Sequence, residues 1–358
     1  MNKTRSVIVG SGSYLPQDIR PNSFFENSEF YNPDGTRFPA EGKDIVRKFK
    51  AITGIEARTV LDSKMVNSDM GAIAAKRAID DAGIDSESID QIIVAHNFGD
   101  VAGNNTVPQL MPTLASKIKN KLGILNENCI PYDIIFGCPG WVQAMIQADV
   151  YIKSGYAKTC LVIGTETLGR MTDPHDRDAM IFSDGAGAVI LSAVQSTEEI
   201  GILQQSAISH TTEELDYLNM GPSFKYPENS ETFIKMNGRK IYNYALSNVP
   251  RAIKDCIDKS KLGIDDVSKI LIHQANEKMD VAIGERLYGL YGIEKMLPEK
   301  MPMNISQIGN NSVATIPILY DLIKRNEQGR HAFKSKDVLI MASVGAGMNI
   351  NAISYRIP

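Results

Sequence analysis

The sequence predicts an α/β protein in which βαβ units are stacked in layers, and three observations carry that prediction. Helical and strand-like segments alternate along the 358 residues, the order expected when parallel strands are joined by crossover helices. The strand-like runs DQIIVAHN, YDIIFG, TCLVIGTE, GAVILSA, KILIHQ and DVLIMAS are short and continuously apolar, as strands buried on both faces are. The third observation is an internal echo. RAIDDAGIDSESIDQIIVAHN in the first half and CIDKSKLGIDDVSKILIHQAN in the second both run helix, Gly-Ile-Asp, acidic turn, apolar strand, and their strands end at His96 and His273. A period of roughly half the chain suggests two similar halves rather than a solenoid, and the length suffices for both.

Taken in order, MNKTRSVIVGSGSYLP holds an apolar run too short for a signal-peptide core. The segment 24–45, rich in Asn, Pro, Gly and acidic residues, reads as a long surface excursion or lid, and 211–235 as a second polar one. Residues 64–84 carry Met70, Ile73, Ala74, Ala78 and Ile79 at helical spacing and end on Gly83. Further helices are expected near 139–154, 239–262, 276–290 and 312–327. FSDGAGAVIL has the sound of a phosphate loop but lacks its Lys-Ser/Thr, and reads as a tight turn with close packing.

With 43% apolar residues, 22% charged residues and a net charge of -4, the composition is that of an ordinary globular domain. No basic tail or stripe points to nucleic acid, and no apolar stretch is long enough to span a bilayer. A soluble cytoplasmic protein is the expectation. The cysteines at 129, 138, 160 and 256 have neither zinc-site nor redox-dithiol spacing, so four thiols and no metal site are expected.

Cys138 follows YDIIFG and precedes Pro139, with Trp141, Ala144, Met145, Ala148 and Ile152 at helical spacing beyond it. That places it at a strand-to-helix turn, with Pro139 at the first helical position. Free N–H groups and the helix dipole there favour a thiolate of lowered pKa. The bland reading, an inert buried thiol, is the commoner fate of a single cysteine. His273 ends a strand before a helix, where an imidazole can move a proton in a cleft or simply serve the structure. Asn310, in QIGNNSVATIPILYDL, offers an amide to a developing oxyanion or merely makes a tight bend. Gly345-Ala346-Gly347 lies between two strand-like runs, as half of an oxyanion hole or as a hairpin connection.

In combination these blocks are specific. FGCPGWVQA, LIHQANEKM, IGNNSVATIP and the C-terminal glycine turn resemble the Cys–His–Asn set of β-ketoacyl-acyl-carrier-protein synthase III in the thiolase superfamily. TETLGRMTDPHDRDAMIFSDGAGAVIL and MNGRKIYNYA support the likeness, which runs from about residue 5 to the C-terminus. The resemblance implies a five-layered αβαβα fold with two duplicated halves, 1–195 and 196–358, and a homodimer. It implies an acyltransferase in which Cys138, at the bottom of a pantetheine tunnel, takes an acyl group from acyl-CoA. Malonyl-acyl carrier protein is then decarboxylated with His273 and Asn310 on its thioester oxygen, and the N–H groups of Cys138 and Ala346 hold the tetrahedral oxyanion. No metal or redox cofactor is required. Arg177, Gly238 and Asn276 fall where the family contacts its substrates, and Lys278 where it presents basic residues to the carrier.

The chain departs from the family's pattern in places. RKFKAITGIEAR has Lys48 and Ile52 where the family's Trp and Arg clamp the CoA adenine, leaving Arg47 or Lys50 to meet phosphates. GDVAGNNTVPQLMPT, 99–113, is long where the dimer partner closes the acyl tunnel, so Met111 is a candidate for setting chain length. Two readings follow: a fatty-acid initiation enzyme with a modified primer site, or a specialised-metabolism relative that takes carrier-bound or β-ketoacyl units. A cysteine hydrolase would need Cys138 and His273 in direct contact, and a non-catalytic relative would be expected to lose one of the three residues.

Overall fold

The computed structural model describes residues 2–103 and 105–358; Met1, and Asn104 within the 99–113 segment, lie outside the described residues. Two sheets organise the chain. The first has five strands in the order Lys3–Tyr14, Asp184–Ser196, Thr159–Thr167, Gln91–His96, Ile130–Ile135. The second has four, in the order Gly201–Ser209, Asn349–Arg356, Val338–Gly345, Val267–Ile272.

The senses of pairing match strand for strand. In each sheet the first and second strands are antiparallel, the second and third antiparallel, and the third and fourth parallel. This correspondence is the structural form of the echo between the strands ending at His96 and His273. The expectation of parallel βαβ units holds only toward one edge of each sheet, where Ile130–Ile135 and Val267–Ile272 lie; antiparallel strands complete each sheet on its other side. Three of those strands, Lys3–Tyr14, Asp184–Ser196 and Gly201–Ser209, extend well past any apolar run in the sequence.

Burial divides the strands by face and sets the layering. Ile93, Val162, Val189, Leu339, Met341 and Ile353 turn inward from both sheets onto the helices Gly140–Ser154 and Thr315–Lys324. Their neighbours in sequence turn outward. Ile92, Val94 and Leu161 meet the helices Asn67–Ala82 and Leu114–Leu122, whereas Ile270, Ile340 and Ala352 meet Gly238–Lys259 and Glu277–Gly289. The result is five layers, α–β–α–β–α. The two central helices are apolar almost all round because sheets cover both sides, and each large aliphatic side chain they bury contributes roughly 1.5–3 kcal/mol.

Gly185 and Gly187 sit inside a strand, where a Cβ on Gly187 would come 2.7 Å from the Ile318 nitrogen. The close packing read from FSDGAGAVIL is present; the turn is not. The 24–45 segment is no free lid. Phe30 is buried, Tyr31 bridges Arg37, the Tyr31 N–H donates to the His175 carbonyl at 2.9 Å, and a helix begins at Gly42. The 211–235 segment contains a hairpin, Leu218–Pro222 with Thr232–Met236. No helix among the described residues is long and apolar enough to cross a membrane.

Candidate active site

The N-termini of the two central helices converge on one spot. Cys138 stands in the turn between the strand Ile130–Ile135 and the helix Gly140–Ser154, with Pro139 as N-cap, one position earlier than the sequence suggests. Gly137 makes the turn in the left-handed region (φ 68), and a Cβ there would lie 2.8 Å from the Ala346 nitrogen. Gly345 is as tightly placed: its Cβ would fall 2.5 Å from the Cys138 nitrogen. The C-terminal glycine turn is thus pressed against the Cys138 backbone. The Ala346 N–H has no hydrogen-bond acceptor among the described residues.

Cys138, Asn97, Ser312 and Ala346 line a cavity of about 220 Å³ whose apolar walls include Phe98, Leu168, Phe182, Leu218, Met220 and Ile234. Leu168 and Phe182 are backed by Phe30, Ile45 and Phe49, so the 24–45 segment and the helix after it buttress the cavity from behind. Three of these lining residues, Leu218, Met220 and Ile234, come from the hairpin inside the segment read as a polar excursion.

Ser312 is the point of contact for the three residues singled out in the sequence. Its hydroxyl donates to Cys138 Sγ at 3.3 Å, and its N–H donates to Asn310 Oδ1 at 2.7 Å. Its backbone also favours the protonated form of the His273 ring. Asn310 is clamped through its own backbone, donating to the Ile181 carbonyl and accepting from Ser183 N–H, each at 3.0 Å. His273 is fixed by its N–H to the Ala342 carbonyl at 2.8 Å. Both side chains are buried, and neither lines the cavity wall that carries Cys138.

Electrostatics here differ from the sequence expectation at one residue. Burial pushes the Cys138 thiol up to about 11, against the hydrogen bond from Ser312 and with the Glu166 carboxyl adding to the rise. The lowered thiol pKa expected from the helix terminus is therefore not found: desolvation in an apolar cup outweighs it. Burial likewise brings His273 down to about 4, opposed by the Ser312 backbone. The imidazole is neutral at physiological pH, and its Nδ1 is buried without a partner among the described residues.

Sequence reasoning missed two polar residues. Glu166, fully buried at the end of the strand Thr159–Thr167, accepts from the side-chain N–H₂ of Asn97, which also donates to Ser312 Oγ at 3.2 Å. Asn97 directly follows His96, whose Nδ1 accepts from Gly99 N–H while its Nε2–H donates to Asp133, each at 2.9 Å. The available signal was position: Asn97 and Glu166 end strands whose counterparts in the other half end near His273 and Gly345.

The remaining candidates lie elsewhere. Asn276 caps the helix Glu277–Gly289 by accepting from Met279 N–H at 3.1 Å. Gly238 opens the helix Gly238–Lys259. Lys278 is exposed and has no ion pair among the described residues. Met111 is 88% exposed and stands outside the cavity. Arg177 is exposed, with its guanidinium 4.9 Å from the Phe38 ring centroid. Arg47 and Lys50 pair with Asp44 and Glu56 at 3.0 and 2.9 Å.

Comparison with known proteins accords with this geometry. Residues 132–210 match the family model for 3-oxoacyl-[acyl-carrier-protein] synthase III, and residues 257–357 match the model for its C-terminal part. The β-ketoacyl-[acyl-carrier-protein] synthase III of Ehrlichia canis is 33% identical over 99% of both chains, and that of Staphylococcus saprophyticus 32% identical over 98% of both. The crystal structure of 3-oxoacyl-[acyl-carrier-protein] synthase III from Aquifex aeolicus superposes with a TM-score of 0.79 at 28% identity, covering 98% of this chain and 99% of that one. With relatives this similar along its whole length, and with the duplicated five-layered fold beneath them, the chain belongs to the 3-oxoacyl-[acyl-carrier-protein] synthase III family.

Proposed function

We propose that the protein catalyses decarboxylative Claisen condensation of an acyl thioester primer with malonyl-acyl carrier protein, with Cys138 as the acyl-carrying nucleophile. The observation that carries this reading is the convergence of Cys138, Asn310 and His273 on Ser312, with Cys138 and Ser312 themselves lining an apolar cavity. The Cys138 sulfur attacks the primer carbonyl, the primer's C–S bond breaks, and the thiol proton leaves with the departing carrier thiol. The N–H groups of Cys138 and Ala346 hold the oxyanion. On the malonyl unit the bond to the carboxylate breaks, CO₂ leaves, and the electron pair passes into an enolate whose oxygen takes N–H donation from His273 and Asn310. A neutral imidazole suits that task, being a donor that needs no desolvated cation. The carbanion attacks the acyl-Cys carbonyl, a C–C bond forms, and the sulfur departs and regains a proton. No metal or redox cofactor enters the scheme.

Intact-mass measurement after incubation with a panel of acyl-CoAs and acyl-carrier proteins tests this reading. A mass gain that vanishes in Cys138→Ala is expected; the absence of an adduct with any donor would overturn it. His273→Ala should still take the acyl group yet fail to decarboxylate malonyl-carrier protein.

A second reading, a carrier-bound rather than CoA-bound primer, is favoured by one set of contacts. Arg177 is stacked on Phe38 of the 24–45 segment, and Arg47 and Lys50 are paired within the chain. Few free cations are left there for a nucleotide's phosphates. The same panel decides: faster acylation from acyl-CoA than from acyl-carrier protein removes it.

The strand Ile130–Ile135 supports a homodimer. It is the open edge of its sheet, with Ile130 47% and Ile135 58% exposed, and such an edge invites a second copy. Light scattering that returns a monomer's mass would refute the dimer. We further take 1–195 and 196–358 as the two duplicated units, and the cytoplasm as the location.

A further inference from the structure

Ser312 stands at φ 50, in the left-handed region that a non-glycine residue occupies at a cost, and it is 2% exposed. Its hydroxyl has two neighbours, and together they fix where its hydrogen points. The Asn97 amide nitrogen carries two N–H bonds. One goes to Glu166 Oε1 and the other, at 3.2 Å, to Ser312 Oγ. Because Oγ accepts from Asn97, its own hydrogen is directed elsewhere, and the Cys138 sulfur at 3.3 Å is the acceptor. Glu166 decides which end of the Asn97 amide faces Ser312. It is wholly buried, accepts the side-chain N–H of Asn97, and leaves Oε2 without a partner among the described residues.

Resting on the reading of Cys138 as nucleophile, we propose that Asn97 and Glu166 are positioning residues for acyl loading: they hold the Ser312 hydroxyl with its hydrogen on the Cys138 sulfur. That hydrogen bond stabilises the thiolate as the sulfur attacks the primer, the thiol proton leaving with the departing carrier thiol. The groups facing the sulfur make this donor matter. The Glu166 carboxyl disfavours the thiolate, and the His273 ring, neutral at physiological pH, adds no positive charge to favour it. Ser312 and the Cys138 N–H are the donors that favour it.

The test is the pH dependence of Cys138 alkylation by iodoacetamide, followed by intact mass on the full chain with Cys138→Ala as blank. Ser312→Gly is the central variant. Glycine is at ease at this φ, keeps the N–H that holds Asn310, and removes the hydroxymethyl group that carries the donor. Its alkylation midpoint should rise by about one pH unit, making the reaction about tenfold slower at neutral pH. Asn97→Ala should move the midpoint in the same direction. Glu166→Gln, whose amide oxygen still accepts from Asn97, should restore most of what Glu166→Ala loses. A wild-type midpoint in Ser312→Gly overturns the proposal even if the Asn97 variant fails to fold. Failure of wild-type Cys138 to alkylate would instead count against the nucleophile reading.

Discussion

If burial alone keeps His273 neutral, its titration should be visible in the stability of the whole protein. The ring is 4% exposed, Nδ1 has no partner among the described residues, and its pKa lies at about 4 against an ordinary 6.5. In the unfolded chain the imidazole takes up its proton near 6.5; in the folded protein it resists until about 4. Between those values the unfolded state binds more protons, so this stabilising contribution is complete above 6.5 and is lost as the pH falls. Integrated from pH 7 to pH 5, the loss is about 2 kcal/mol. Urea unfolding of wild type and His273→Gln at half-unit intervals isolates it, because every other titrating group is common to both proteins. The wild-type curve should drop relative to the variant by that amount on acidification. Parallel curves would show that the imidazole ionises freely, and the neutral N–H donor assigned to enolate stabilisation would go with it.

Three further outcomes are expected. Gly345→Ala places a methyl 2.5 Å from the Cys138 nitrogen and 2.9 Å from its Cβ, atoms that cannot rotate away. Acyl-adduct formation should slow by about 100-fold, and an unchanged rate in mass spectrometry would show the turn to be slack. Lys235→Ala removes the buried ammonium paired with Asp173 at 2.7 Å and Asp176 at 3.3 Å. It should cost roughly 3–5 kcal/mol in chemical unfolding, because Asp173 is left buried without its partner. Lys278→Glu, on an exposed side chain free of ion pairs among the described residues, should raise the apparent KM for malonyl-carrier protein; an unchanged KM removes it from the docking surface.

What the sequence made legible follows from length scale. Cys138, Asn310 and the Gly345 turn announce themselves because each sits between an apolar run and a period change, and a strand-to-helix turn is a local event. The layering was legible as well, since the runs around Ile93 and Ile340 are apolar on both faces only if something covers each. Less local features were lost. The strands Lys3–Tyr14 and Gly201–Ser209 mix polar and apolar residues without a clean period and owe their structure to the neighbours they pair with. The hairpin at 218–236 read as polar excursion because its cavity-facing residues, Leu218, Met220 and Ile234, are spread among glycine, proline and lysine. The thiol pKa was misjudged for the same reason: a helix terminus can be read locally, but the apolar cup around it is assembled from five distant segments.

His96 and His273 show why position alone does not assign a role. The echo places them at corresponding strand ends, and the sheets confirm that these strands occupy the same place in each half. His96 has both ring nitrogens engaged, Nδ1 with Gly99 N–H and Nε2 with Asp133, whose carboxylate also accepts from the N–H groups of Leu114 and Ala115. Its imidazole has no capacity left for a ligand, and its work is to set the turn from which Asn97 reaches Ser312. His273 keeps Nδ1 unpartnered among the described residues in a buried setting, a cost of about 1–3 kcal/mol that a purely structural residue would have little reason to bear. The two halves thus carry imidazoles at corresponding strand ends, and the hydrogen bonds around them differ: those of His96 brace a turn, and those of His273 leave one ring nitrogen open for the role proposed above. Replacing Asp133 by Asn should therefore disturb the Asn97 turn and slow acyl loading, while the His273-dependent decarboxylation changes less. The reverse ratio of the two rates would place His96, not His273, at the chemistry.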